Sequence, residues 1–320
     1  MKGIYCLVFY KTILYKTMTT QHMCLCIIYN HRYDINIEKL EKIYDKRFSK
    51  IYHIVPFYDG DKENVITVYE SSHQFQGYIS QAMEHIWSEE FDDYLFIGDD
   101  LILNPMINEN NIHCILGISE QSSFLPDCTP LSKMNGWDYV GRIYNSYQAF
   151  CIYSGTNYKT ELWSPEEAYG KVLKDYKKED FIITKDNFKS GIHGFWNRLI
   201  TTLKYYRHVK LVKKGWQLPY PLFGGYSDIL LLNQKDLKRV GHHFGVMAAI
   251  GLFVEIAIPT VMKLDCERLE SGNHKSNIMW TDEEKIQIET DYQRDIQYLF
   301  DHWPSDVAYM HPIKLSRWKM

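Results

Sequence analysis

The stretch Asp93-Tyr94-Leu95-Phe96-Ile97-Gly98-Asp99-Asp100 decides how this 320-residue chain is read. Tyr94 to Ile97 are apolar or aromatic and read as a strand, so Asp99 and Asp100 stand where that strand leaves its sheet. Gly98 allows a tight backbone turn there. Adjacent carboxylates repel, a cost that is tolerable where a divalent cation binds or water reaches both. Hard oxygen donors suit Mg²⁺ or Mn²⁺, which complete their shells with substrate phosphates. The other reading of the pair is a solvated loop that caps the next segment.

Outward from this strand the pattern alternates. Residues 24–29, Cys-Leu-Cys-Ile-Ile-Tyr, form a short apolar run that ends in the polar Asn30-His31-Arg32, as a buried strand feeding a loop does. Cys24 and Cys26 fall on one face of it as small apolar fillers. Asn36 is expected to cap a helix in which Ile37, Leu40, Ile43, Tyr44 and Phe48 recur at helical spacing. Residues 50–57 and 65–69 read as strands, the first stopped by Tyr58-Asp59-Gly60, and 75–87 as a helix. Strands separated by helices predict an α/β fold. Its central sheet is mostly parallel and flanked by helices, and ligands collect at the strands' carboxyl ends.

Further on, Ser164-Pro165-Glu166-Glu167 and Thr281…Glu284 are capping boxes that open helices. A strand is expected after Phe223-Gly-Gly-Tyr-Ser-Asp-Ile229. One buried helix follows over about 244–262, with Glu255 its single ionisable residue. A last helix is expected to run from Thr281 to a stop at Pro304.

Composition narrows the function classes. Hydrophobic residues at 45% and charged ones at 24% describe a globular chain rather than a disordered one. A net charge of −4 argues against a generic nucleic-acid binder, so no nucleic-acid partner is expected. Seven scattered cysteines without a Cys-x-x-Cys pair point to reduced thiols in a cytoplasmic setting. Between Asp186 and Asp228 there are seven basic side chains and no acidic one. The apolar-faced stretch 189–216 within it is a candidate for peripheral contact with an anionic membrane, or else an ordinary solvated surface. Residues 4–10 are apolar, but Lys11 and Lys16 interrupt them well short of the roughly 20 residues that span a bilayer. Residues 1–22 are therefore expected to be a poorly ordered extension, with 23–320 a single domain.

The segment Tyr94-Leu-Phe-Ile-Gly-Asp-Asp-Leu-Ile-Leu-Asn-Pro105 resembles the Asp-x-Asp region of GT-A type nucleotide-sugar glycosyltransferases. Among these it is most similar to bacterial enzymes of capsular and surface-polysaccharide assembly. Three further segments resemble the same family in the same order. Tyr29-Asn30-His31-Arg32-Tyr33-Asp34 is similar to the loop that holds the nucleotide base and ribose. Phe253-Val254-Glu255 is similar to the acidic motif that supplies the base in inverting members. His311-Pro312-Ile313-Lys314 is similar to the terminal element whose His completes the metal shell and whose Lys meets the diphosphate. The resemblance covers roughly 24–316, with 119–220 matching in position only.

It implies a GT-A (Rossmann-like) sheet with an inserted acceptor-side region. Residues 23–118 would be the nucleotide-binding half, and 119–320 the acceptor-binding half, whose tail returns to the site. It also implies a Mn²⁺ or Mg²⁺ ion on Asp100 and His311, a UDP-sugar donor contacted by Tyr29, Asn30, Arg32, Asp99 and Lys314, and a glycan or lipid-linked acceptor. Gly98 stands where the family places an acid, and Ile256 where a second acid often follows Glu255.

Other residues join as secondary candidates. Asp59 either accepts from a uracil imino group or only forms a turn. Gln76, Gly77 and Gln81 open a helix expected to face the nucleotide. Asp228 rivals Glu255, whose carboxyl in an apolar helix suits a base but equally suits a buried, hydrogen-bonded structural role. Two other classes compete with the glycosyltransferase. One is a non-catalytic relative that only binds, favoured by Gly98 and Ile256. The other is a metal-dependent phosphoryl-transfer enzyme, which lacks the further acidic cluster of a two-metal site.

Overall fold

The computed structural model describes residues 22–134, 142–143, 145–146, 148–152, 155, 157–184, 216–217 and 220–320. The amino-terminal extension through residue 21 and the basic stretch 189–215 lie outside the described residues.

Strand β1 (Met23–Ile28), helix α1 (Asp34–Tyr44), β2 (Lys50–Pro56), β3 (Val65–Val68), α2 (Phe75–Ile86) and β4 (Asp93–Gly98) follow one another as the alternating pattern requires. After β4 come β5 (Ile102–Leu103), α3 (Ile112–Leu116), β6 (Ser123–Phe124), β7 (Thr129–Pro130), α4 (Pro165–Val172), β8 (Ile182–Ile183), β9 (Trp216–Gln217) and β10 (Phe223–Gly224). The chain closes with β11 (Ile229–Asn233), α5 (Gln234–Ala249), α6 (Val254–Asp265), β12 (Leu269–Glu270), β13 (Lys275–Ile278), α7 (Asp282–Asp291), α8 (Ile296–Asp301) and β14 (Val307–His311).

A seven-stranded sheet runs β12-β6-β11-β4-β1-β2-β3. Strands β3, β2, β1 and β4 are mutually parallel; β11 joins β4 antiparallel, with Ile229 opposite Ile97, and β6 joins β11 antiparallel. Residues from both halves of the chain therefore share one sheet. Every residue of β1 is buried, because helices cover both faces. Alternation sorts them. Cys24, Cys26 and Ile28 join a core with α2, α5 and α6, while Met23, Leu25 and Ile27 join one with α1 and the carboxy-terminal tail. The Cys24 and Cys26 sulfurs lie 3.8 Å apart on one face, as the two-residue period demands.

Two expected helices are each divided. The span 244–262 is the end of α5 and the start of α6, separated at Gly251, whose φ of +73° an L side chain rarely adopts. Glu255 thus lies in the first turn of α6 instead of mid-helix. The last helix is likewise α7 and α8, with Gln293 and Arg294 between them at φ 55° and 51°. Both capping boxes form, Ser164 with Glu167 and Thr281 with Glu284. Among the described residues no helix is long and apolar enough to cross a membrane.

His53 on β2 is fully buried, its Nδ1 2.8 Å from the Tyr29 hydroxyl. Burial lowers its pKa from 6.5 to about 4, although Glu41 pulls the other way. The unfolded chain takes up this proton below pH 6.5 while the fold refuses it, so stability present above pH 6.5 is lost as the pH falls toward 4. At pH 5 the loss is about 2 kcal/mol. His53→Asn, whose amide reaches about where Nδ1 stands, is expected to flatten this slope. Denaturant midpoints at pH 7.5 and 5 check it; an unchanged slope assigns the acid sensitivity elsewhere.

Candidate active site

Asp99 and Asp100 leave β4 in a turn closed by the Leu101 N–H on the Gly98 carbonyl, 3.0 Å. Gly98 serves space rather than an unusual φ, since a Cβ there would lie 3.2 Å from Asp100 Oδ1. The two carboxylates then find different partners. Asp99 is 3% exposed; its Oδ2 accepts from Asn36 Nδ2 at 3.1 Å and its Oδ1 from the Asn30 N–H at 3.4 Å. Burial and then repulsion from Asp100 raise its pKa, against the pull of those two donors. Asn36 is therefore no cap. Helix α1 starts at Asp34 without a side-chain cap, and Asn36 is buried against the site.

Asp100 meets His311, whose Nε2 lies 3.2 Å from Asp100 Oδ1. Strand pairing makes this meeting. β14 runs antiparallel to β5, with Tyr309 opposite Leu103 and Met310 opposite Ile102, and the Ile313 N–H donates to the Asp100 carbonyl at 2.7 Å. The His311–Pro312 peptide is cis. Beyond it Ile313, Leu315 and Trp318 are buried, each an apolar anchor of about 1.5–3 kcal/mol. Lys39 on α1 donates to the carbonyls of Leu315 (2.6 Å) and Trp318 (2.9 Å), which holds the turn carrying Lys314. The result is a cleft of about 200 Å³ bordered by Asn30, Tyr33, Asn36, Asp99, Asp100 and Lys314.

On the other side of Asp100 stands the loop before β11. The Gly98 N–H donates to the Asp228 carbonyl at 2.9 Å. Burial raises the Asp228 pKa, opposed by His311 and aided by Asp100. Burial alone would lower His311, but its contact with Asp100 and the charges of Asp228 and Asp99 outweigh that, so its pKa ends above 6.5. Tyr226 stacks on Tyr309 and turns its edge toward His311, 5.7 Å between centroids. Farther along, Glu255 is ion-paired with Arg142, whose guanidinium lies 5.2 Å from the Phe253 ring. The Glu255 carbonyl accepts from the Gly225 N–H at 3.0 Å, and Asp127 Oδ1 accepts from the Tyr226 N–H at 2.6 Å.

Several nominated residues have other duties. Tyr29 is fully buried and bonded to His53, so its ring does not border the cleft. Gln76 is buried and donates to the Leu252 carbonyl at 2.8 Å; Gly77 gives room to Ala248 of α5; Gln81 accepts from the Tyr69 N–H. These three hold α2 in place instead of facing the cleft. Arg32 is ion-paired with Asp34 and Asp59 at the surface, which keeps the Asp59 carboxyl below its usual range. Sequence reasoning missed Asn36 as a partner of Asp99, and also Lys39, Asp127 and Arg142. Only Asn36 and Lys39 carried a signal, being one helical turn apart on α1.

Among the described residues no three His, Cys, Asp or Glu side chains form a ready-made metal cluster. Asp100 Oδ1 and His311 Nε2 nevertheless have the spacing of one edge. On an ion with bonds near 2.1 Å, neighbouring octahedral ligands lie about 3.0 Å apart. Asp100 Oδ1 also has no aligned hydrogen-bond donor among the described residues. An ion that keeps waters and takes phosphate oxygens needs no third side chain.

A comparison with protein-family models finds no match, and a search of curated proteins finds none either.

Lys39→Met frees the Leu315 and Trp318 carbonyls and is expected to cost about 1–3 kcal/mol. Hydrogen exchange at the Ile313 and Lys319 amides should speed up, with the β1 amides unchanged. Equal protection in both proteins would mean that the tail is held without this lysine.

Proposed function

We propose that this protein is a metal-dependent glycosyltransferase of GT-A type. It would move a sugar from a nucleoside diphosphate, UDP being the first to test, to a hydroxyl of a polysaccharide or lipid-linked glycan. The observation that carries this reading is the return of the tail. His311 stands against Asp100, and Lys314 lines the same cleft as Asp99, at the carboxyl end of a central parallel strand.

In this reading the anomeric C–O bond to the diphosphate breaks, the diphosphate leaves with the electron pair, and the acceptor oxygen takes its place. Asp100 and His311 would hold a divalent cation, which supplies positive charge to the leaving diphosphate. Lys314 adds a second positive charge on the cleft wall. Asp99, held by Asn36 and the Asn30 N–H, is oriented to accept from hydroxyls of the donor. Asp228 is the better base for the acceptor proton, because burial raises its pKa and it lies in the field of Asp100 and His311. Glu255 is neutralised by Arg142 and suits acceptor orientation more than proton transfer. That same pairing favours the second reading, a protein that binds nucleotide sugars without turning them over.

Mn²⁺-dependent release of UDP from a panel of UDP-sugars tests the first reading, with Asp100→Ala expected to abolish it. Asp228→Asn should lower transfer about 10²- to 10⁴-fold with donor affinity kept, and Glu255→Gln much less. Tight, metal-dependent nucleotide binding without any turnover would select the second reading. Cleavage of nucleic acid would overturn both.

A further inference from the structure

Trp280 comes just after β13, the strand that pairs with the one carrying His311. Ile278 on β13 pairs with His311 on β14, and the Met279 N–H donates to the His311 carbonyl at 2.8 Å. The Trp280 backbone is fixed, its N–H donating to the Glu284 carboxylate at 2.8 Å at the start of α7. The residue is nevertheless 60% exposed, although most of the described aromatic residues are buried. The exposed indole stands beside Tyr226, which in turn packs its edge toward His311. Trp280 meets Tyr226 edge to face, 6.4 Å between centroids.

Tyr226 supplies an independent observation. It is 7% exposed and wedged between Tyr309 and His311, and its hydroxyl has no hydrogen-bond partner among the described residues. Buried hydroxyls are normally paired, so one left without a partner marks a place where a bonding group is missing. Two residues farther on is Asp228. A flat apolar face with a hydroxyl and a carboxylate beside it matches a pyranose ring, which has a C–H face and a rim of hydroxyls.

We propose that Trp280 and Tyr226 form the acceptor subsite, with the C–H face of an acceptor pyranose on the indole and a ring hydroxyl bonded to the Tyr226 hydroxyl, beside Asp228. This rests on the glycosyltransferase reading and extends it. The donor occupies the cleft on the Asp99 and Lys314 side of Asp100, and the acceptor sugar lies on the Tyr226 side. Acceptor recognition is then carried by residues that make no contact with the nucleotide.

The test uses the full chain loaded with UDP and Mn²⁺. Methyl and p-nitrophenyl pyranosides of glucose, galactose, mannose and N-acetylglucosamine serve as probes, read by saturation-transfer NMR. At least one probe is expected to bind, with affinity falling about 10-fold in Trp280→Ala and roughly 3- to 10-fold in Tyr226→Phe. Trp280→Phe keeps an aromatic face and should retain most of the binding. UDP affinity, measured separately, should be the same in all four proteins. A probe that binds wild type and Trp280→Ala alike, UDP-loaded protein that binds no probe, or a loss of UDP affinity in Trp280→Ala each overturns the subsite. Failure of the wild type to bind UDP or any other nucleoside diphosphate overturns the glycosyltransferase reading along with it.

Discussion

Two carboxylates at the end of a buried strand impose the constraint from which the site is built. Asp99 and Asp100 repel each other, and neither is fully open to water. Each therefore needs its own partners, drawn from different parts of the chain. Asp99 takes Asn36 and the Asn30 N–H from the β1–α1 segment; Asp100 takes His311 from the tail. Helix α1 serves both arrangements. Asn36 holds Asp99, and Lys39 one turn later holds the tail's carbonyls, so one rigid element fixes strand exit and tail relative to each other.

What local chemistry dictates was legible beforehand. Cys24 and Cys26 on one face, both capping boxes, the strand that delivers Asp99 and Asp100, and a parallel sheet follow from periodicity and cap residues, which act over a few positions. The helix boundaries near Gly251 and at Gln293-Arg294 were not. An apolar run reads as buried whether or not it is interrupted, and Gln and Arg give little sign of a left-handed backbone.

Side-chain partnership over long sequence separations was the other blind spot. Asn36 near a predicted helix start looks like a cap, and only the fold shows that Asp99 claims it. Glu255 in an apolar stretch looks like a lone carboxyl ready to take a proton, until Arg142 stands beside it. Gln76 looks as though it faces a ligand, yet its amide is spent on the Leu252 carbonyl exactly where α5 gives way to α6. Polar residues reveal their type in a sequence but not their partner, and the partner decides the role.

The Asp100–His311 contact divides the surroundings into two sides of unlike chemistry. Toward α1 and the tail turn lie amides, a carboxylate and a lysine ammonium, groups suited to a charged, hydroxylated ligand. Toward β10, β13 and the loop before β11 lie stacked aromatic rings, a hydroxyl without a partner and a second carboxylate. A site for a single small molecule has little need of such asymmetry. The asymmetry suits the transfer we propose, in which donor and acceptor must each be recognised without the other and both must reach the same point.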